Sequence, residues 1–420
     1  MKTIEMKDLK VLFISGSLGL GHVTRDLAIA NKLRERYPGM SIRWLAAHPA
    51  TLMLESAGEE LLPEASGYAN ENVFAEQSSN GASLNLLNYL LKSRDGWQKN
   101  VEVFAQVMQS YDFDLVIGDE TYEIAIALRK HPEMKKAPVV ILYDFVGLDS
   151  MTWNPLEKLG VYIWNRKWSY NYRKKLQTPI DLGLFIGSLE DIPDRSFGFL
   201  LPNRRAFAKA MYEFAGYILP FNRDEMPDKA TLREKLGYDS RPLVVASIGG
   251  TSVGKDLLEL CGKAFSYARK KIPDLHMVLV TGPRIKPDFL DVPDEIDIQP
   301  FIPRLYEHFA ASDLVITQCG GTSVVELRAL NKPFIYFPLE KHCEQANIAH
   351  NLRKHHIGVE MRYSKTDPAM LGEKIVALCG TAVKYPDIPL DGAERAASLV
   401  APLLKSNHEV EELLEGNTKG

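Results

Sequence analysis

Residues 298–347 read IQPFIPRLYEHFAASDLVITQCGGTSVVELRALNKPFIYFPLEKHCEQAN. Asp313-Leu-Val-Ile-Thr317 is a short apolar strand that runs into Cys319-Gly-Gly-Thr-Ser323. A helix is expected from about Val324 to Leu330, then a second strand, Phe334-Ile-Tyr-Phe337. Gly320 and Gly321, at the carboxyl end of the first strand, let a backbone or ligand approach closely. The helix that follows offers unpaired N–H groups and the positive end of its dipole, which makes the turn an anion site. Thr322 and Ser323 add hydroxyl donors there. Glu326 lies one turn further on, on the face of Thr322, where a carboxylate can accept hydrogen bonds from a ribose diol. Glu344 and Gln345 then bring a carboxylate and an amide, groups suited to a polyhydroxylated sugar. Phosphate, ribose and sugar contacts come in chain order.

Ser323-x-x-Glu326 is equally a capping box, in which each side chain closes a backbone N–H of its own helix. The whole string carries more information than that pair. Cys319-Gly320-Gly321, Ser323, Glu326, Asn331-Lys332-Pro333, Pro338, Glu344-Gln345 and Asn347 resemble the donor-binding box of GT-B glycosyltransferases. These include UDP-glucuronosyltransferases, plant UDP-glycosyltransferases and the peptidoglycan lipid-intermediate GlcNAc transferase. Cys319 stands where the family pattern has a His that touches a phosphate, and Glu344 where it has an Asp that reads sugar hydroxyls.

Composition agrees with an ordinary globular chain: 420 residues, 45% hydrophobic and 25% charged. That length suits two or three domains. A formal charge of -4 gives no nucleic-acid footprint. Cys261, Cys319, Cys343 and Cys379 show neither metal spacing nor a small-domain disulfide pattern, so they read as reduced thiols of a cytoplasmic protein. No apolar run reaches the ~18 residues of a membrane span, and MKTIEMKDLK lacks a signal-peptide core. Any membrane contact is then peripheral.

The first half opens with Val11-Leu-Phe-Ile14, an unbroken apolar run typical of a buried parallel strand. A glycine turn, Ser15 to His22, and an amphipathic helix to about Tyr37 follow. This is the entry to a doubly wound α/β domain. Gly16, Gly19 and Gly21 do not make the dinucleotide fingerprint, and Ser41–Ala47 ends without the acidic residue a nicotinamide ribose needs. Gly19-Leu-Gly-His22-Val-Thr-Arg25 instead resembles the G-x-G-H motif of GT-B transferases. His22 then sits at a helix start, where the dipole is expected to lower its pKa and keep it a neutral base; helix capping or simple solvent exposure is the plainer reading. Asp119, at the carboxyl end of the strand in Asp112–Asp119, is on the right side to meet His22, and the resemblance implies that it orients the imidazole. The plainer alternative makes it a cap for the helix starting near Glu123. Asp112-Phe-Asp114 is a D-x-D, but it precedes its strand, on the wrong side for a ligand.

Residues 66–83 read as a polar loop over the cleft, and Gly216–Pro220 as the last strand of this half. Val161–Leu176 is expected to be a helix carrying Trp164, Trp168 and Tyr172 among five basic residues. Such a helix either rests on an anionic membrane or packs on its own domain, which is the commoner use of the pattern. In the second half, Pro242–Ile248 is a strand, followed by Gly249-Gly-Thr-Ser-Val-Gly-Lys255. Asp256 stands where a P-loop needs Ser or Thr for magnesium. The resemblance assigns Gly250, Thr251 and Ser252 to the diphosphate, and Phe301-Ile302 to the nucleobase.

The expected architecture is therefore α/β, a GT-B pair of Rossmann-like doubly wound domains facing a cleft. Residues 1–220 form an acceptor domain, 221–240 a linker and 241–385 a nucleotide-sugar domain. Residues 386–420 form a helix returning to the first domain, with a frayed tail from Ser406. The resemblance implies inverting transfer from a nucleotide sugar, UDP-linked, to a hydroxyl acceptor that is left open and can be lipid-linked. His22 and Asp119 would be catalytic, and neither a metal nor another cofactor is required. The binding set is Gly250, Thr251, Ser252, Phe301, Ile302, Gly320, Gly321, Thr322, Ser323, Glu326, Glu344 and Gln345. Two other functions fit the motifs: a nucleotide-sugar hydrolase using the same His, and a non-catalytic sugar-nucleotide-binding subunit.

Overall fold

The computed structural model describes residues 9–16, 19–80, 82–250 and 252–416. Its first sheet holds β1 (Lys10–Ile14), β2 (Ser41–Leu45), β3 (Glu60–Leu61), β4 (Leu115–Asp119), β5 (Val139–Tyr143), β6 (Leu182–Ile186) and β7 (Glu213–Gly216). The order is β3-β2-β1-β4-β5-β6-β7, and every neighbouring pair is parallel. The unbroken apolar runs are the central strands, buried on both faces as such runs require. Alternation divides their side chains between two cores. Phe13 and Ile117 point to one, Leu12, Ile14 and Ile141 to the other. Trp44 stacks on Phe13 at 4.5 Å and donates its indole N–H to Glu59 at 2.6 Å, so the buried ring leaves no polar group unpaired.

The second sheet holds β8 (Leu243–Ser247), β9 (His276–Val280), β10 (Asp297–Gln299), β11 (Leu314–Gln318), β12 (Phe334–Phe337) and β13 (Val359–Glu360). Its order is β10-β9-β8-β11-β12-β13, again all parallel. In each sheet the order reverses between the first strand and the one paired on its other side, β1/β4 and β8/β11. Loops leaving such a pair diverge and open a crevice at the carboxyl edge. The glycine turn before His22 follows β1 and Asp119 ends β4. The Gly250 loop follows β8 and the Gly320 turn follows β11. The two crevices face each other.

The halves touch closely. A Cβ on Gly250 would come within 2.8 Å of Gly19 and Leu20, and one on Gly21 within 2.5 Å of Thr322 Oγ1. Asn347 donates to the carbonyl of Asp191 at 2.7 Å. The helix Gly392–Gly416 returns to the first half, burying Ala396, Ala397, Val400 and Leu404 in its core. It continues to Gly416, into the segment expected to fray. Other expectations shift too. The last strand of the first half lies at Glu213–Gly216, ahead of its expected place, because Gly216 takes φ +83° and the register breaks there. Residues 66–83 are ordered by a helix, Glu71–Gln77, and a hairpin, Ser79–Asn80 with Ser83–Leu84. Val161–Leu176 divides into Pro155–Trp168 and Tyr170–Lys174. Trp168 and Tyr172 pack against the core, and Trp164 against Trp97.

Candidate functional site

Helix Gly21–Arg36 starts at the glycine turn and places His22 and Arg25 one turn apart on its cleft side. His22 Nδ1 lies 2.7 Å from Asp119 Oδ2. Arg25 brackets the same carboxylate, with Nη2 2.5 Å from Oδ1 and Nε 3.3 Å from Oδ2, and reaches Asp144 Oδ2 at 2.7 Å. Space for the pair comes from Gly16: a Cβ there would stand 3.0 Å from His22 Nδ1 and 3.2 Å from Asp119 Oδ2. The capping alternatives fail, since neither His22 nor Asp119 closes a helix end by a side-chain bond.

An ionised Asp119 only accepts, so His22 donates from Nδ1 and leaves the Nε2 lone pair free. Arg25 Nη2 lies 2.8 Å from the same Nδ1, but in that tautomer it has nothing there to donate to. Burial works against ionisation of Asp119, yet Arg25 and His22 outweigh it and hold the carboxyl below its ordinary range. Burial and Arg25 push His22 down, while Asp119 and Asp144 push it up and win. This corrects the expectation of a lowered pKa: carboxylates at contact distance dominate the helix dipole. His22 is a stronger base than a free imidazole.

Glu120 adds a feature that sequence reading missed. Its φ is +55°, a conformation a non-glycine residue holds only when its surroundings fix it. Here Tyr122 Oη donates to Oε1 at 2.9 Å, while Oε2 lies 3.9 Å from His22 Nε2. Burial, and then Asp144 and Asp119, push its pKa well up. Burial also opposes ionisation of Asp144, but Arg25 and a hydrogen bond with Glu120 hold it well below the usual range. Arg25 and Asp144 were legible in part. Arg25 follows His22 by three residues, and Asp144 directly follows β5 where Asp119 closes β4.

Across the cleft, helix Gly321–Ala329 starts at Gly320 with no side-chain cap. The capping box at Ser323 and Glu326 is thereby overturned. Thr322 Oγ1 stands against Gly21 at the start of helix Gly21–Arg36. Glu326 is 6% exposed and its carboxyl forms no hydrogen bond among the described residues; burial pushes it up to about 8. Glu344, in the first turn of helix Cys343–Lys354, is pushed up to about 7 by burial and Asp144, against His22 and Arg25. It faces the His22 cluster. Gln345 spends its Oε1 on the Leu339 N–H at 2.8 Å, so only its NH₂ remains for a ligand. Cys319 packs in the core and burial pushes its thiol up, which takes it away from any phosphate.

Ser252 donates its N–H to Glu76 Oε1 at 3.0 Å, and Arg284 grips both Glu76 oxygens at 2.5 Å. No sequence feature pointed to this contact between the halves. Gly250 lies against Gly19, whereas Thr251 lies outside the described residues. Phe301 packs against the core of the first half and Ile302 against a core of the second half.

Residues 244–384 match the glycosyltransferase family 28 C-terminal domain. A protein of Methanosarcina mazei described as an uncharacterized glycosyltransferase is 26% identical over 366 residues, 84% of this chain and 86% of its own. A UDP-N-acetylglucosamine–N-acetylmuramyl-(pentapeptide) pyrophosphoryl-undecaprenol N-acetylglucosamine transferase of Carboxydothermus hydrogenoformans is 27% identical over 157 residues, 36% of this chain and 41% of its own. Among solved structures, the glycotransferase of kitacinnamycin superposes with a TM-score of 0.58 at 14% identity, covering 98% of this chain and 99% of that one. That likeness concerns the fold. Taken with the two facing doubly wound sheets, these matches make the chain a glycosyltransferase of the GT-B superfamily with a family 28 C-terminal domain.

Proposed function

We propose that this glycosyltransferase moves a sugar, with inversion, from a UDP-linked donor to a hydroxyl acceptor, with His22 as general base and Asp119 holding its tautomer. The observation that carries the reading is the 2.7 Å His22–Asp119 pair standing opposite an uncapped helix terminus. His22 Nε2 takes the acceptor proton as the oxygen attacks the anomeric carbon from the side opposite the leaving group. Charge growing on the diphosphate meets the N–H groups of Gly321, Thr322 and Ser323 and the two hydroxyls, a fixed donor set that stabilises it without a metal. Glu326 accepts the ribose diol, Gly250 and Ser252 line the diphosphate, the Phe301-Ile302 main chain holds the base, and Glu344 with Gln345 orients the sugar. The UDP donor of the N-acetylglucosamine transferase relative supports that choice of nucleotide.

Its undecaprenol-linked acceptor supports an acceptor presented at a lipid surface. Trp153 is 92% exposed and Leu200 84%; Leu156, Leu159, Ile163 and Phe199 are exposed as well. Lys158, Arg166 and Lys167 lie on the same helix. An apolar face with basic residues is what an anionic bilayer binds. Among the described residues no helix is long and apolar enough to cross a membrane, so the contact is peripheral. The stereochemistry is tested by proton NMR of the product: an α-linked UDP-sugar should give a β-linked product, and an α product would overturn the single-displacement reading.

A further inference from the structure

A carboxylate of the first half reaches into the crevice of the second. Glu76, on helix Glu71–Gln77, accepts the Ser252 N–H at 3.0 Å, and Arg284 donates to it from Nε and Nη2, each at 2.5 Å. Ser252 lies in the loop after β8 and Arg284 in the loop after β9. Gly282, with φ +71°, brings these loops together, for a Cβ there would stand 2.2 Å from the Gly249 carbonyl oxygen. A guanidinium fork and a backbone N–H converging on one point make an anion cradle. Such a fork grips phosphate oxygens as it grips a carboxylate. Burial opposes the charge on Glu76, yet Arg284 and the Ser252 N–H outweigh it and hold the carboxyl below its ordinary range. The segment carrying Glu76 meets the second half again where Glu340, just ahead of Glu344, donates its N–H to the Ala82 carbonyl at 2.7 Å. It also holds the turn before His22, since the Gly19 N–H donates to Asn72 Oδ1 at 2.8 Å.

The donor contacts proposed above set two carboxyls, Glu326 and Glu344, and no positively charged side chain around a diphosphate. Lys255, in the loop after β8, is paired with Glu259 at 2.7 Å. We infer that Arg284 is a donor-binding residue and that Glu76 stands in for a donor phosphate until the nucleotide arrives. The diphosphate then takes Arg284 and the Ser252 N–H from Glu76, one anion replacing another. The pair to be broken is partly exposed, at 19% for Arg284 and 17% for Glu76, so water screens it and it holds weakly. Glu76 thus competes with the donor and lowers its apparent affinity in proportion to the fraction of molecules whose cradle is free. This assignment rests on the proposed placement of the diphosphate between the Ser252 loop and the Gly321 helix terminus.

The test is UDP calorimetry on the whole chain across a double-variant cycle. Glu76→Ala should tighten UDP about threefold to tenfold, and Arg284→Gln should weaken it about tenfold to hundredfold. Opposite signs are the signature. A clasp that only braces the two halves loses the same contact in either variant and predicts the same sign for both. Arg284→Gln should cost more in the Glu76→Ala background, by about the factor that Glu76→Ala gains, because there the guanidinium is already free. Arg284→Lys keeps the charge without the fork and should bind UDP at least threefold tighter than Arg284→Gln, yet more weakly than the wild type. Should Arg284→Gln fail to fold, Arg284→Lys and Glu76→Ala decide by their opposite signs. Changes of the same sign, or UDP affinity unmoved in folded Arg284→Gln, would overturn the assignment. Ser323→Ala separates the two readings. Weaker UDP binding there with none lost in Arg284→Gln overturns the Arg284 assignment alone, whereas UDP binding unmoved by either, or absent from the wild type, overturns the donor placement as well.

Discussion

Glu326→Gln is the substitution whose consequences can be worked furthest. The Glu326 carboxyl is almost fully buried, has no partner among the described residues, and burial moves it from 4.5 to about 8. At ~1.4 kcal/mol per decade, ionising it inside the protein costs up to about 5 kcal/mol. The sign follows from linkage. Below pH 4.5 the group is protonated in both folded and unfolded chains and contributes no pH dependence. Between 4.5 and about 8 the unfolded chain loses the proton first, so stability falls as pH rises, and above 8 the whole cost is present. Glu326→Gln removes that slope. It should match the wild type near pH 5 and exceed it by about 2–5 kcal/mol at pH 8.5 in urea titrations. The same change should weaken UDP binding by about 1.5–3 kcal/mol, roughly tenfold to 150-fold, as a charged acceptor is lost from the ribose diol. A diol favours the carboxylate, so wild-type binding at pH 7 should release close to one proton, seen as a dependence of calorimetric heat on buffer ionisation enthalpy. The variant should release none from this site. Unchanged UDP affinity together with proton-neutral wild-type binding would refute the ribose assignment.

Activity should survive EDTA, because leaving-group charge falls on helix N–H groups and hydroxyls; strict recovery by magnesium or manganese in initial-rate assays would refute this. Glu76 holds the Ser252 N–H and Arg284, so Glu76→Ala should free the Ser252 N–H for the diphosphate and tighten UDP about threefold to tenfold by calorimetry; weaker binding would mean that the clasp builds the site. Leu159→Glu with Ile163→Glu should lower sedimentation with anionic vesicles at least fivefold while turnover on a water-soluble acceptor stays the same.

The parallel strands were legible because strands buried on both faces need unbroken apolar runs, and Val11–Ile14 and Leu314–Thr317 have them. His22, Asp119 and Glu326 were legible because each lies at or just beyond a strand's carboxyl end. Contacts between distant segments were not. Nothing local to Glu76 indicates that it meets Arg284 some 200 residues on. The raised pKa of His22 comes first from Asp119 and then from Asp144, a residue 122 positions away in the chain whose approach only the fold reveals. In the helix Pro155–Trp168 the tryptophans, the visible aromatic stripe, face inward as the commoner use of the pattern has it, while the exposed apolar face belongs to Leu156, Leu159 and Ile163.

The central claim is that His22 acts on the acceptor proton and not on donor binding, and kinetics of His22→Ala beside UDP calorimetry test it most directly. A general base contributes roughly 10²–10⁴-fold to rate. Turnover should fall within that range while the UDP dissociation constant changes less than about twofold. Asp119→Asn should lose less, and the double variant should be scarcely worse than His22→Ala alone, since the pair acts as one unit. Near-normal turnover in His22→Ala would contradict the account. Donor hydrolysis in water as fast as any transfer, and abolished with His22, would replace the transferase reading with that of a hydrolase.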